Sequence, residues 1–259
     1  MRSALVRRSV LTASAVSLTL LATACGADKA DDKKADAKPS APAASAAPAA
    51  KGKTDAELAP LLVTQAELPD YIEAKDAATK ASASGAAVGT TDKPECKVLL
   101  QAYGQQKIGT PTGVALTAFG AKPKEVGPDA TAEEKAAAIT NAIGITTTLT
   151  GLSSYDAKGA EETLASIKSA GQACAGGFSV TEGTEVTKFD SVKPGETVSV
   201  GDESVSFVLT MDLEDGDKST VLLTVARKGN TLATLSSISL TGTAVFPKTL
   251  IEAQGKKLV

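Results

Sequence analysis

The stretch VSFVLTMDLEDGDKSTVLLTV, residues 205–225, decides the fold of this chain. Its first half alternates apolar and polar residues from Val205 to Leu213, and its second half resumes the apolar pattern after Asp215-Gly216. Alternation with a period of two gives a strand one apolar face, and an Asp-Gly pair between two such runs is typical of a hairpin turn. The stretch therefore predicts two antiparallel strands that share a buried face.

The strand pattern continues on both sides of this hairpin. After a second turn at Gly229-Asn230, residues 232–240 predict another strand. Upstream, shorter apolar runs predict three strands, at residues 178–180, 185–189 and 196–200. The last third of the chain thus predicts an antiparallel meander.

Helical patterns dominate the earlier part of the folded region. A Thr followed three residues later by Glu indicates a capping box, and Pro favours the first turn of a helix. These signals predict helices that begin near Thr54, Thr64, Pro94 and Pro247, and amphipathic periodicity predicts two more at 130–142 and 159–171. Residues 71–74, 114–121 and 143–152 predict strands, and 79–93 a loop. We expect an α+β fold in which helices cover one face of a single antiparallel sheet.

The first 24 residues have the pattern of a secretory signal peptide. Three Arg precede an apolar run at residues 10–21, and small residues follow it. The run is too short and too rich in Ser and Thr for a stable transmembrane helix. Arg7-Arg8 also fits a twin-arginine signal, so export by that route or by the general route stays open.

Cys25 follows the small residues directly and resembles the lipidated Cys of the bacterial lipobox. In that motif the Cys receives a diacylglyceryl group, and two acyl chains suffice for stable anchoring. We therefore predict lipid attachment at Cys25 and a location on the outer face of the cell membrane. The alternative is an ordinary signal peptide with an incidental Cys.

Residues 25–53 predict a disordered linker, because they are rich in Ala, Pro, Lys and Asp and lack large apolar residues. The remaining residues, 54–259, suit one domain with its own core. The chain therefore divides into a signal peptide at 1–24, a linker at 25–53 and a globular domain at 54–259.

The composition excludes several function classes. Cleavage removes three of the 27 basic residues, which leaves the rest against 30 acidic ones and a net charge near −6. With this acidic balance and Arg227 as the remaining arginine, we expect no nucleic-acid partner. Because the chain has no His, it cannot use Ser-His-Asp or Cys-His catalysis or His-ligated zinc. We expect no catalytic residue, no metal and no cofactor.

The other two cysteines, Cys96 and Cys174, form an even pair in an exported chain. One opens a predicted helix and the other follows a predicted helix. We predict a disulfide between them, which is expected outside the reducing cytoplasm.

The acidic residues Asp212, Glu214, Asp215 and Asp217 lie together, but their spacing does not match a calcium loop, and a solvated hairpin turn explains them. Three tyrosines, Tyr71, Tyr103 and Tyr155, are candidates for lining a pocket, although packing at the edge of the core is the simpler interpretation.

The folded region resembles the extracellular sensor domain of a mycobacterial receptor serine/threonine kinase, the PknH-like extracellular domain. The matching elements are residues 58–69, Cys96 at a helix start, Cys174 after a helix, and Phe246-Pro247 before a helix that contains Gln254. Related domains also occur as actinobacterial lipoproteins. The resemblance implies an α+β sensor domain with a groove. Domains of that family have two disulfides, whereas this chain can form one.

Three functions remain open from the sequence. The first is a non-catalytic, sensor-like domain that binds a small molecule, a cell-envelope component or a protein. The second is a lipid carrier, which needs an apolar cavity of about 1,000 Å³ or more, larger than an ordinary ligand pocket. The third is a hydrolase that uses a pair of facing buried carboxylates.

Overall fold

An antiparallel sheet of nine strands organises the folded part of the chain. The computed structural model describes residues 50–83, 89–123, 125–213, 216–239 and 242–258, and not the side chains of 82–83 and 141–143. The described residues belong to one compact unit, Ala47–Val259. The predicted signal peptide, Cys25 and most of the predicted linker lie outside the described residues.

The elements follow one another in an interleaved order. The strands are β1 (Tyr71–Glu73), β2 (Thr90–Thr91), β3 (Gly113–Ala121), β4 (Thr147–Ser154), β5 (Phe178–Glu182), β6 (Glu185–Pro194), β7 (Glu203–Asp212), β8 (Lys218–Lys228) and β9 (Thr231–Ile238). The α-helices are α1 (Asp55–Leu58), α2 (Lys75–Ala83), α3 (Lys97–Tyr103), α4 (Ala132–Ile143), α5 (Gly159–Ala173) and α6 (Lys248–Lys257). Short 3₁₀ turns lie at Ala59–Leu61, Gln65–Glu67 and Pro94–Cys96.

The strand order is β1-β3-β4-β9-β8-β7-β6-β5-β2, and every neighbouring pair is antiparallel. The predicted meander is confirmed as the five consecutive strands β5–β9. In the hairpin that decides the fold, Phe207 pairs with Leu223 and Asp212 pairs with Lys218. Glu214 and Asp215 of its turn lie outside the described residues. The predicted α+β class is confirmed.

The first face of the sheet carries the apolar side of the predicted hairpin. Helices α3 and α5 pack on it, and the resulting core joins their buried residues to the alternating side chains of β5–β8. The α5 helix approaches closely at Gly171, where a Cβ would overlap the ring of Phe207. The Cys96–Cys174 disulfide links the start of α3 to the end of α5, with the two Cα atoms 5.9 Å apart, so the predicted pairing is confirmed.

The second face is also covered, which corrects the expectation of helices on one face alone. Central strands β8 and β9 carry apolar side chains on this face too, including Ala226, Ala233 and Leu235. The N-terminal turns, through Leu58 and Leu68, and the terminal helix α6 pack over them. Because both faces of the central strands are apolar, neither can stay open to water.

The predicted loop at 79–93 and the predicted strand at 196–200 were wrong. Helix α2 covers residues 75–83 and strand β2 covers Thr90–Thr91, so both ends of the predicted loop have regular structure. The sequence of α2, KDAATKASA, favours a helix through Ala and Lys but has no wide apolar stripe, so periodicity did not reveal it. Residues 196–200 do not form a strand, because Val198 and Val200 pack against the second-face core instead of pairing with a neighbouring strand.

The end of the predicted linker contacts the folded domain. The Gly52 N–H donates to Asp156 Oδ1 at 2.8 Å, and the Asn230 side-chain amide donates to the Lys51 carbonyl at 2.7 Å. The Ala157 N–H donates to the Ala50 carbonyl at 2.7 Å. Residues 50–53 therefore join the domain beside the end of β4 and the β8–β9 turn.

No helix within the described ranges is both long enough and apolar enough to cross a membrane.

Candidate ligand-binding groove

A groove lies on the first face of the sheet, beside the C-terminal end of α3. The local sequence explains why α3 stands there. Pro94 starts a 3₁₀ turn that leads into the helix, and Cys96 ties its first turn to α5. Leu99, Leu100 and Ala102 are buried against the sheet and α5. The covalent link and this packing fix the helix that forms one wall of the groove.

The turn after α3 is held in an uncommon conformation. Gln105 has a φ of 56°, in the left-handed region where helix ends usually place a Gly. This conformation costs roughly 1–2 kcal/mol for a residue with a Cβ. The turn is secured by the Gln106 N–H, which donates to Gln101 O at 2.8 Å, and by Tyr155 Oη, which donates to Ile108 O at 3.1 Å. Strained backbone that the surroundings enforce is common at ligand sites.

The side chain of Gln105 lies directly on the sheet. Its Nε2 is 3.3 Å from Thr234 O and 3.4 Å from Leu149 O, both of which accept from it. It rests over Gly151, where a Cβ would overlap its Oε1. The absence of a side chain at Gly151 therefore makes room for Gln105.

The first pocket, here called the apolar pocket, lies under α2 and the end of α3 and has a volume of about 460 Å³. Its floor and walls are mainly aliphatic and aromatic side chains from six elements, namely Leu100, Tyr103, Leu149, Val180, Phe189, Met211 and Ile238. Phe189 stacks on Phe178, with ring centroids 4.7 Å apart, and meets Tyr103 edge-on at 6.3 Å. This aromatic packing makes the floor rigid.

The second pocket, here called the polar pocket, adjoins the first at Ala81 and Gln106, which line both, and has a volume of about 610 Å³. Amide and hydroxyl groups are prominent in its lining, namely those of Gln101, Gln105, Gln106, Ser153, Tyr155 and Thr234. Both volumes fall within the range of small-molecule sites, about 300–1,000 Å³.

The charges at the groove are few and unevenly placed. Lys107 lines the polar pocket, and no carboxylate of a described residue lines it. Lys80 and Glu182 lie at the rim of the apolar pocket. Neither lysine forms an ion pair with another described residue. Burial raises the pKa of Tyr103, and the negative charge of Glu182 raises it further, so the phenol is neutral and available as a hydrogen-bond donor.

The structure places the predicted site residues in different parts of the molecule. Cys25 lies outside the described residues, and the Cys96–Cys174 disulfide supports α3 without lining the groove. Tyr103 lines the apolar pocket and Tyr155 the polar pocket, and both are also part of the first-face core. Tyr71 packs with the second-face core. Two of the three candidate tyrosines therefore both pack and line a pocket.

The acidic cluster provides no site. Asp212 pairs with Lys218 at 2.8 Å, while Glu214 and Asp215 lie outside the described residues. Within the described ranges, no three His, Cys, Asp or Glu side chains come together in a way that could hold a metal. The buried polar side chains of those ranges are hydroxyls and one amide, so the facing buried carboxylates that a hydrolase needs are not found there.

Sequence reasoning missed two residues that meet in the polar pocket. Gln105 and Gly151 are 46 positions apart, and neither belongs to a motif. The sequence signal that could have indicated this turn is Tyr103-Gly104-Gln105-Gln106. A helix ends there, and its left-handed position is occupied by Gln105 instead of Gly. Only the pairing of β4 with β9 brings Gly151 and Thr234 beneath that turn.

No protein-family model matches this chain, and no curated protein matches it either. Among solved structures, the chain is similar to the extracellular domain of PknH from Mycobacterium tuberculosis, with a TM-score of 0.46 and 10% sequence identity. The match covers 80% of this chain and 96% of that one. The resemblance stated from the sequence is also to an extracellular domain of this kind.

Proposed function

We propose that the protein is an exported lipoprotein, held by Cys25 on the outer face of the cell membrane, whose domain binds a small molecule without converting it. The observation that carries the binding function is the groove of two adjoining pockets on the first face of the sheet. A strained Gln105 is kept in place there by hydrogen bonds to α3, β4 and β9, and it lines the polar pocket, which shares Ala81 and Gln106 with the apolar pocket. A site that is held in its binding conformation before the ligand arrives loses less entropy on binding, and this gain can offset the cost of the strained backbone.

The anchoring part of the proposal rests on the sequence. The signal-peptide pattern ends in Cys25, and a linker poor in large apolar residues follows it. The Cys96–Cys174 disulfide agrees with an oxidising compartment, because structural disulfides are rare in the cytoplasm. In this proposal the linker leads to residues 50–53, where the chain joins the domain.

The lipid-carrier alternative is less well supported. A carrier of two-chain lipids needs a dry cavity of about 1,000 Å³ or more, larger than an ordinary ligand site. Of the two pockets, the one lined mainly by apolar side chains is the smaller, at about 460 Å³, and the other, at about 610 Å³, is rich in amide and hydroxyl groups. The groove therefore favours a smaller ligand that the domain senses.

Native mass spectrometry of the full chain purified from its host tests the binding function. Thr187 is exposed and lines the apolar pocket, so Thr187→Trp fills that pocket without replacing a core residue. Thr181 lies in the same β5–β6 hairpin, is also exposed and points to the opposite face, so Thr181→Trp is the matched control. We expect a bound mass on the wild type and on Thr181→Trp that is lost from Thr187→Trp. A bound mass that Thr187→Trp retains would contradict the proposed site.

A further inference from the structure

We propose that the groove takes an amphiphile with a single apolar chain and an anionic head, with the chain in the apolar pocket and the head in the polar pocket beside Lys107. The inference rests on the proposed binding function and adds the class of ligand to it. A fatty-acid-like carboxylate is the simplest molecule of this class.

The apolar pocket provides for the chain. Its surface is formed by side chains such as Leu149, Met211 and Phe189, and its volume of about 460 Å³ suits one chain better than two. Each methylene group that leaves water for such a surface contributes about 0.8 kcal/mol to binding. The chain is therefore the main source of affinity.

The polar pocket provides for the head. Of the described residues that line it, Lys107 alone is charged, and this exposed side chain forms no ion pair with another of them. The Gln106 amide and the Ser153 hydroxyl lie in the same lining and supply hydrogen-bond donors. A carboxylate or phosphate head complements one cation and several neutral donors, whereas a cationic head would meet repulsion.

The two pockets adjoin at Ala81 and Gln106, which belong to both linings. Gln105 lines the polar pocket next to Gln106, and its Nε2 is occupied by two strand carbonyls. A ligand that spans both pockets therefore passes Gln106, with its chain on one side of that residue and its hydrated head on the other.

Lys80 is the second lysine that lines the groove, so the anionic head could in principle bind at either end. It lies at the rim of the apolar pocket, whose lining also includes the opposite charge of Glu182. Among the described residues, no carboxylate lines the polar pocket with Lys107. The anionic head is therefore favoured at the Lys107 end.

Isothermal titration of the full chain that carries Cys25→Ala tests the inference, with decanoate as the probe. We expect saturable binding of decanoate, binding of octanoate about tenfold weaker, and binding of decyltrimethylammonium about fivefold weaker or more. Lys107→Glu should weaken decanoate binding by about fivefold or more, and Thr187→Trp should abolish it. Lys97→Glu, an exposed change on α3 outside both pockets, is the control and should bind as the parent chain does.

Three outcomes would overturn the inference. Equal binding of decanoate and decyltrimethylammonium would show that charge does not select the head. No decanoate binding, in a chain whose host-purified form still carries a mass that Thr187→Trp removes, would reject the ligand class while leaving the proposed function intact. Loss of both signals would reject the two together.

Discussion

Gln105 and Gly151 are in contact. Because Gly151 has no side chain, the side chain of Gln105 has room to lie on the sheet there. The atom that a new Cβ at Gly151 would meet is Gln105 Oε1, at the end of a flexible side chain. This contact also explains how the turn with a positive φ at Gln105 is held over the sheet. The side-chain amide of Gln105 donates hydrogen bonds to the carbonyls of Leu149 and Thr234.

This pairing makes a prediction at the scale of the residue. Gly151→Ala should destabilise the chain by about 1 kcal/mol, since it pushes the Gln105 amide away from two strand carbonyls. In a Gln105→Ala background the same change should be neutral or slightly stabilising, because Ala costs less entropy than Gly in a strand. Chemical denaturation of the four chains of this cycle measures the coupling. Equal effects of Gly151→Ala in both backgrounds would show that the two residues do not interact.

The N-terminal turns are held in place by capping boxes and by contacts with α6. Thr64 and Glu67 form a capping box, in which the Thr64 N–H and hydroxyl both donate to Glu67 Oε2 at 2.8 Å. Lys257 in the last turn of α6 donates to the same oxygen at 3.0 Å. A second box, Thr54 with Glu57, starts α1 in the same way. These contacts tie the covering layer of the second face together.

The capping box predicts how stability depends on pH. The hydrogen bond from Lys257, followed by those from Thr64, lowers the pKa of Glu67 below its ordinary value of 4.5. A carboxylate with a lowered pKa in the folded state stabilises the fold at and above its unfolded value, and this contribution is lost as the pH falls through the lower, folded value. We expect the free energy of unfolding to fall below about pH 4.5, and to fall less steeply in Glu67→Gln. Parallel denaturation curves from pH 6 to pH 3 measure this difference, and identical slopes for the two chains would contradict it.

At the scale of the whole molecule, the sequence predicted what depends on local pattern. The alternation at 205–225, the caps at Thr54 and Thr64, and the even cysteine pair led to the meander, the N-terminal turns and the disulfide. The β4–β9 pairing was out of reach, because it joins strands more than 70 residues apart. The groove depends on that pairing, so it could not be placed from sequence. Helix α2, which covers the apolar pocket, was missed because its apolar residues are nearly all Ala.

The anchor makes a prediction for the whole chain in its host. Cys25→Ala removes the thiol that would receive the diacylglyceryl group, so the protein should leave the membrane fraction or remain unprocessed. Ser3→Ala, within the same predicted signal peptide, is the control and should behave as the wild type. Fractionation followed by intact-mass measurement checks both. A Cys25→Ala chain that keeps the membrane location and the mass shift of the wild type would reject lipid attachment at this residue.

The central claim is that the first face of the sheet holds a ligand between α2 and the turn after α3. Hydrogen–deuterium exchange on the host-purified full chain, before and after its bound small molecules are stripped, tests this claim most directly. The account predicts that stripping speeds exchange in residues 75–83 and 104–108, while residues 248–257 of α6 on the second face are unchanged. Exchange that changes on the second face, or in no segment at all, would contradict it.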